Sequence, residues 1–188
     1  MAVQIGVIAE ARNDIDVLYQ LTCKLVAENS FCFRKFIGYG CGKLRRKCNA
    51  WAKNLIRRGC THLVVMHDLD RGDESKLRQE LNNAIESLSF DGSLILIPIQ
   101  EVEAWLLCDA SALKEVFSMK KEAKVPAEPE RILEPKEHLR DLVWKACGKR
   151  YVNTIHNTRI AAEMRIASLK ACGSFSPYHE FLEKMTTA

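Results

Sequence analysis

The stretch Thr61–Asp73, THLVVMHDLDRGD, decides the fold class of this chain. Its apolar run Leu63–Met66 predicts a short buried strand, which two aspartates, Asp68 and Asp70, closely follow. Residues at i and i+2 of an extended segment lie on the same side, so both carboxylates meet at the strand's carboxyl end. A bound cation would offset their repulsion and their desolvation. The sequence therefore predicts a cation site here, with helix capping as the alternative, above all for Asp73.

The rest of the first half alternates between strand and helix patterns. Further strands are predicted at 3–9, 31–37 and 94–99, and helices at about 14–29, 43–58 and 73–88. We expect Asn13 to cap the first of these helices, and Asp73 or Ser75 to open the third. Such alternation predicts an α/β, Rossmann-like fold with a parallel sheet of about four strands and helices on both faces.

The pattern changes after Leu107. Helices are predicted near 110–119, 136–147, 155–171 and 176–185, with a proline-containing irregular loop at 120–135. We therefore expect an α/β core over 1–110 and a helical extension over 111–188 that packs on the core. Trp51, Trp105 and Trp144 are all predicted to be packing residues.

Composition limits the function classes. With 188 residues and 47% hydrophobic content, the chain can build one full core. Its apolar runs are too short to cross a membrane, and its N-terminus lacks a signal-peptide pattern. The eight cysteines are scattered without a CxxC pair, which disfavours structural zinc and is typical of free thiols in a reducing compartment. We therefore predict a cytoplasmic protein without a membrane partner.

Acidic residues recur at the predicted strand ends. Glu10 follows the first strand, Asp68 and Asp70 follow the third, and Glu101 and Glu103 follow the fourth. In open parallel sheets, functional sites lie at the carboxyl edge, where all these residues would meet. Carboxylate oxygens suit Mg²⁺ or Mn²⁺, and two such ions can activate water for phosphodiester cleavage while a free carboxylate acts as base.

The predicted helix 43–58 is basic and contains no acid. Lys43, Arg45, Arg46 and Lys47 near its start could hold a nucleic-acid backbone, although such a run can also be a plain solvated face. The preceding turn, GYGCGK, is either a weak phosphate loop or a tight turn that needs positive φ. His67 is either a metal ligand or proton shuttle, or a hydrogen-bonded residue at the end of its strand.

Together these residues resemble the Toprim fold, the metal-binding domain of topoisomerases, bacterial primases and overcoming-lysogenisation-defect (OLD) nucleases. The resemblance is closest to a family of small bacterial Toprim-like proteins. It is carried by the segments VIAEARND around Glu10, GCGK at 40–43, DLD at 68–70, QEVEAWLL at 100–107, ILEPKEHL at 132–139 and IAAEMRIASLKACGSFSPYHEFL at 160–182. The chain departs from the family motifs at Ala11, Asp14 and Gln100, where the family has glycine, glutamate and histidine.

The resemblance implies Mg²⁺-dependent phosphodiester chemistry. Carried over by motif, Asp68 and Asp70 would bind metal, and Glu10 would bind metal or act as base. Asp14 would be a further ligand, while Glu101 and Glu103 would complete or orient the site. Related proteins act beside an ATPase partner in defence against phage, which implies the same kind of partner here.

Two main hypotheses follow for the function. The first is a metal-dependent nuclease that cleaves DNA or RNA. The second is a non-catalytic Toprim-like subunit that regulates a partner such as an ATPase. A phosphatase of the haloacid dehalogenase kind is a weaker option, because Gly72 stands where that family's DxDx[TV] motif needs threonine or valine.

Overall fold

A computed structural model describes residues 2–187, which form four strands and eight α-helices. The strands are β1 (Val3–Ala9), β2 (Phe31–Ile37), β3 (His62–Met66) and β4 (Gly92–Leu96). The helices are α1 (Arg12–Leu25), α2 (Cys41–Arg57), α3 (Glu74–Ile85), α4 (Glu103–Leu106), α5 (Ala110–Phe117), α6 (Pro135–Cys147), α7 (Asn153–Glu163) and α8 (Ser176–Thr187). Short 3₁₀ turns lie at Glu28–Ser30, Pro129–Arg131, Ile166–Ala171 and Gly173–Phe175.

The four strands form one parallel sheet in the order β2-β1-β3-β4. The central strand β1 pairs with β2 from Val3 opposite Phe31 to Ala9 opposite Ile37. This architecture confirms the α/β, Rossmann-like prediction of a four-stranded parallel sheet with helices on both faces. Because all four strands run the same way, their carboxyl ends share one edge.

The two faces of the sheet bury different helices. Alternate side chains such as Val64 and Met66 of β3 pack with α1 and the C-terminal helices, whereas Leu63 and Val65 pack with α2 and α3. Gly6 of β1 allows α2 to approach closely, because a Cβ there would lie 2.8 Å from Leu55 Cδ1. The period-2 pattern of each strand thus decides which helix layer each residue meets.

Several predicted boundaries were wrong for identifiable reasons. The first helix begins at Arg12, so Asn13 is not its cap; Asp14 Oδ2 instead accepts the Ala11 N–H at 2.8 Å. That helix ends at Leu25 because Val26 becomes extended. The fourth strand ends at Leu96 instead of 99, since Pro98 has no N–H with which to extend the ladder.

The predicted helix at 155–171 is interrupted. The α-helix ends at Glu163, and a 3₁₀ turn covers Ile166–Ala171. The cause is long-range, because the Arg165 N–H donates to Asp109 Oδ2 at 2.9 Å rather than to a helical carbonyl. Opening of the third helix by Asp73 is confirmed, since its side chain accepts the Lys76 N–H at 3.1 Å.

The extension shares its core with the sheet. Phe117, Ile160 and Leu182 belong to the same buried cluster as Val64 of β3. Trp105 is fully buried, as predicted, but the packing prediction for Trp144 was wrong: 63% of this residue is exposed. Within the described residues, the structure contains no helix both long and apolar enough to cross a membrane.

Candidate active site

The loops after the four strands are joined by backbone hydrogen bonds. Tyr39 N–H, after β2, donates to Glu10 O at 2.9 Å, which joins the loops after β2 and β1. Leu69 N–H donates to Pro98 O at 3.0 Å, and Asp70 N–H donates to Gln100 O at 2.9 Å, which joins the loops after β3 and β4. The predicted acids at 10, 68, 70, 101 and 103 therefore lie along one continuous edge.

Three non-glycine residues on this edge have left-handed backbones. They are Tyr39 with φ 53°, Asp70 with φ 51° and Gln100 with φ 63°. Such conformations cost about 1–3 kcal/mol each and persist where the surrounding structure enforces them, often at functional sites. Gly40 in the same turn has φ 116°, so the glycine-rich segment is a tight turn of the predicted positive-φ kind.

His67 lies buried between Glu10 and the aspartate loop. Its Nδ1 is 2.7 Å from Asp68 O and 3.0 Å from Glu10 Oε1. A carbonyl oxygen only accepts, so Nδ1 carries a proton and donates it to Asp68 O. Glu10 Oε1 is close to Nδ1 but receives no hydrogen bond, and His67 Nε2 has no partner within residues 2–187. His67 is therefore hydrogen-bonded at the end of its strand, and its role as metal ligand or proton shuttle stays a prediction.

Asp68 and Glu10 each present a buried carboxylate oxygen without a hydrogen bond. The atoms are Asp68 Oδ1 and Glu10 Oε1; neither accepts a hydrogen bond in the described part of the chain, although His67 Nδ1 lies 3.0 Å from Glu10 Oε1. Burial raises the pKa of Asp68 well above its usual value, and the charges of Asp14, Glu103 and Glu10 raise it further. Burial also raises the pKa of Glu10, against the opposing effect of His67. Buried acceptors of this kind are costly unless a donor or cation meets them.

Asp14 lies behind this pair at the start of α1. It is 5% exposed and accepts hydrogen bonds from Ala11 N–H at 2.8 Å and Asn13 Nδ2 at 3.2 Å. Burial raises the pKa of Asp14 to about 7, although the Ala11 hydrogen bond opposes the change. The nearby charges of Glu103 and Glu10 add to the rise, so Asp14 belongs electrostatically to the same acidic group.

Glu103, at the start of α4, is held by the C-terminal extension. It is 2% exposed, and its Oε1 lies 3.2 Å from Tyr151 Oη and accepts from Asn157 Nδ2 at 3.0 Å. Tyr151 and Asn157 are also hydrogen-bonded to each other. Both were missed by the sequence reasoning, because each lies about fifty residues from Glu103 and belongs to no motif. In this structure Glu103 is a hydrogen-bonded anchor between core and extension.

Glu101 is paired with a lysine that the sequence reasoning also missed. Its Oε2 accepts the Lys136 N–H at 3.0 Å, and its Oε1 lies 3.4 Å from Lys136 Nζ. Burial alone would lower the pKa of Lys136, but Glu103, Glu101 and Asp68 outweigh it and the pKa is raised. The available signal was Pro135, which marks a helix start and leaves free N–H groups in the first turn.

An open pocket lies beside these acids. It has a volume of about 420 Å³ and is lined by Asp70, Gln100 and Glu101 from the core and by Leu133, Glu134 and Glu137 from the extension, with Arg71 beside them. Arg71 and Glu134 form an exposed ion pair across it, with Nη2 2.6 Å from Oε1. Asp70 is exposed here, whereas Asp68 is only partly accessible.

The acidic side chains of this edge are the right ligands for a hard divalent cation, but they do not stand close enough together to form a metal cluster. Oxygen ligands are what Mg²⁺ prefers, and two of the buried oxygens are unpartnered. Across residues 2–187, however, no group of three or more His, Cys, Asp or Glu side chains stands close enough to hold a metal ion.

The basic start of α2 is exposed as predicted, but one of its four cations, Arg45, forms an ion pair. Lys43, Arg45, Arg46 and Lys47 all face solvent. Arg45 forms a bidentate pair with Glu80 of α3, with Nε 2.7 Å from Oε1. Lys43 Nζ lies 5.2 Å from the Tyr39 ring centroid. The sequence of α2 contains no acid, but its neighbour α3 supplies one.

Replacing Asp14 by asparagine is expected to stabilise the protein at alkaline pH. An acid whose pKa is higher in the folded than in the unfolded state binds its proton more tightly when folded, so stability falls as pH rises between the two values. For Asp14 this window runs from the usual 3.8 to about 7, which corresponds to up to about 4 kcal/mol. Asparagine keeps an acceptor for Ala11 and avoids the charge.

Urea unfolding of both proteins across pH measures this effect. The stability gain should be full above about pH 8 and absent below about pH 4. Asp16→Asn on the same helix is the control, since Asp16 is partly exposed beside Arg12 and Lys35. A pH-independent difference for Asp14→Asn, or an equal gain for Asp16→Asn, contradicts the prediction.

Comparison with known proteins identifies a family. A family model described as "Domain of unknown function (DUF4276)" matches residues 14–183. The match begins within α1, after Glu10, and ends within α8, so it includes the aspartate loop and most of the extension. No curated protein and no solved structure matches the chain.

Proposed function

The chain belongs to the family described as a domain of unknown function (DUF4276), and we propose that it is a Mg²⁺- or Mn²⁺-dependent nuclease of Toprim type. One observation carries the proposal. Asp68 Oδ1 is a buried carboxylate oxygen without a hydrogen bond, at the shared carboxyl edge of a parallel sheet and beside the acids Glu10 and Asp70. A purely structural acid would have recruited donors, as Glu103 has.

Each residue of the edge has a role in this proposal. Asp68 would hold the cation, with exposed Asp70 beside the open pocket and Glu10 as a second ligand or as the base, while Asp14 adds to the acidic group. Mg²⁺, when bound, supplies an activated water and neutralises charge on the phosphate. Burial raises the pKa of Glu10, which makes it a stronger base toward the attacking water. Lys136 carries a positive charge beside the acids and can stabilise the negative charge that develops on the phosphate.

We place this activity in the cytoplasm, beside an ATPase partner in defence against phage. All eight cysteines are free thiols, which reducing compartments favour. The partner follows from the Toprim-like resemblance alone. The nucleic-acid substrate is supported by the exposed cations of α2 other than Arg45, because their charges remain available to phosphates.

A cleavage assay tests the proposal directly. The wild type and an Asp68→Ala/Asp70→Ala double variant are incubated with DNA, RNA and tRNA in Mg²⁺, in Mn²⁺ and in chelator. We expect cleavage of at least one substrate by the wild type, only with metal, and none by the double variant. Mg²⁺ should also raise the melting temperature of the wild type but not that of the double variant, since a ligand that binds only the folded state stabilises it. Equal cleavage by both proteins, or cleavage in chelator, contradicts the proposal.

A second candidate is a non-catalytic interaction subunit. Two large apolar side chains beside the edge favour it: Tyr39 is 80% exposed and Leu133 is 65% exposed. An ATPase that contacted them would bury this apolar surface. Stable co-purification with an ATPase, together with biological activity that survives the double aspartate change, would select this candidate over the nuclease.

A further inference from the structure

The net positive charge of the chain comes from the extension. Residues 1–110 carry 14 basic and 14 acidic side chains, whereas residues 111–188 carry 14 basic and 10 acidic ones. Part of this excess lines a groove of about 660 Å³ between the segment 120–124 and helix α6. We call it the lysine groove, after Lys120, Lys121, Lys124 and Lys145, which line it together with His138 and two acids, Glu122 and Asp141.

The four lysines of the lysine groove are available to a ligand. All are exposed, and among the ion pairs of residues 2–187 none involves them. The groove's two acids have cationic neighbours outside it: Asp141 lies 3.8 Å from Arg140 Nε, and the charge of Glu122 acts on Arg165. This differs from α2, where Glu80 engages Arg45. The groove therefore carries an excess of unpaired positive charge, which favours an anionic occupant.

An exposed tryptophan lies on α6, the helix that forms one side of the lysine groove. Trp144 is 63% exposed, directly before Lys145 and three residues after Asp141 on α6. The helix buries Leu139 and Val143 on its other side, so Trp144 presents its indole to solvent. Exposed aromatic rings beside a track of cations are the arrangement that binds single-stranded nucleic acid, because the bases stack and the phosphates pair with lysines.

Helix α6 also reaches the candidate active site. Its first turn carries Lys136, which pairs with Glu101, and Glu137, which lines the acidic pocket. Trp144 lies seven residues after Glu137, so both are on the same side of the helix. The axial distance from Lys136 to Trp144 is about 12 Å, which a short stretch of nucleic acid spans. A strand bound along α6 would therefore lead toward the acids.

We propose that α6 carries a binding surface for single-stranded nucleic acid, in which the lysine groove holds phosphates and Trp144 stacks on a base. The inference rests on the proposed function, because it names the single strand as the substrate class of the acidic edge. A duplex would leave Trp144 without a partner, since paired bases are already stacked on one another. The surface is distinct from the basic start of α2.

Binding in the presence of chelator tests this surface separately from cleavage. The probes are fluorescently labelled oligo(dT) and a DNA duplex of equal length, followed by anisotropy. We expect tighter binding of oligo(dT), with Trp144→Ala about tenfold weaker and Trp144→Phe close to wild type, because phenylalanine also stacks. Lys124→Glu and Lys145→Glu should weaken binding and flatten its salt dependence, whereas Lys170→Glu, an exposed lysine outside the groove, should not.

Intrinsic fluorescence gives a second readout. Trp105 is fully buried and Trp51 is stacked on Phe36, so quenching by oligo(dT) should persist in Trp51→Phe and disappear in Trp144→Phe. Duplex binding as tight as oligo(dT), or binding unaffected by Trp144→Ala, overturns the inference. If either occurs while cleavage still depends on Asp68, only the surface is wrong. If binding behaves as expected but no substrate is cut, the surface stands and the nuclease proposal fails.

Discussion

Asp68→Asn is expected to abolish metal-dependent cleavage and, at the same time, to make the protein harder to unfold. Asparagine has nearly the same shape but no charge for a cation. Metal-assisted stabilisation of the transition state contributes several kcal/mol, so a loss of about a thousandfold in cleavage rate follows. Opposite effects on activity and stability are typical of residues that are kept for function at a cost in stability.

The stability gain has a physical cause in this site. Burial and the neighbouring acids raise the pKa of Asp68 well above its usual value, so ionisation at neutral pH favours the unfolded state and lowers stability. The amide of asparagine removes that charge, and its NH₂ group is a donor among neighbouring carboxylates. Cleavage rates and thermal melting, measured on the same preparation in chelator and in Mg²⁺, check both halves of the prediction.

Asp73→Asn is the matched control for Asp68→Asn. Asp73 lies in the same loop but is exposed and caps α3 through Lys76 N–H. Asparagine is an equally good N-cap, so neither cleavage nor stability should change by much. Retained cleavage in Asp68→Asn, or a lower melting temperature, would show that the carboxylate is structural.

Asp109→Ala is expected to cost about 3 kcal/mol of unfolding free energy, because it removes the cap of α5 and leaves backbone N–H donors without their acceptor. Asp109 is fully buried and caps α5 through Ser111 N–H at 3.0 Å and Ala112 N–H at 3.2 Å. It also accepts bonds from Arg165 N, Nε and Nη2, at 2.9, 3.0 and 3.0 Å, and from Ser168 Oγ at 2.9 Å. One carboxylate therefore fastens the segment after α7 to the start of α5.

The stability that Asp109 contributes changes with pH in the opposite direction to the contribution of Asp14. Burial alone would raise the pKa of Asp109, but the bonds from Arg165, Ser168 and Ala112 outweigh it and hold the pKa well below its usual value. Its stabilisation is therefore present above the usual pKa of 3.8 and is lost as pH falls below it. Urea unfolding at neutral and acidic pH measures both the size of the contribution and this loss.

Two variants define the control for Asp109→Ala. Asp141→Ala removes an exposed aspartate from α6 and should change the unfolding free energy by no more than about 0.5 kcal/mol. Asp109→Asn keeps an acceptor for the α5 cap but not the charge, so its cost should be intermediate. If Asp109→Ala unfolds at the same urea concentration as Asp141→Ala, Asp109 does not fasten this segment.

The edge of the sheet illustrates what could be predicted for the site. Glu10, Asp68, Asp70, Glu101 and Glu103 were placed at strand ends from sequence, and the structure brings them to one edge. Their individual states were not predictable, because these depend on partners distant in the chain. Glu103 is satisfied by Tyr151 and Asn157, and Glu101 by Lys136, whereas Asp68 Oδ1 is left unpartnered.

By itself, the sequence determined the parallel α/β fold, the carboxyl edge on which the acids lie, and the capping of α3 by Asp73. These features depend on short-range periodicity and on residues a few positions apart, which a linear pattern records. Only the tertiary structure decided that Asp109 breaks the helix before Arg165, that Lys136 joins the acids, and that Trp144 faces solvent. Each of these depends on which elements pack together, because burial and hydrogen-bond partners are properties of the folded chain and not of local sequence.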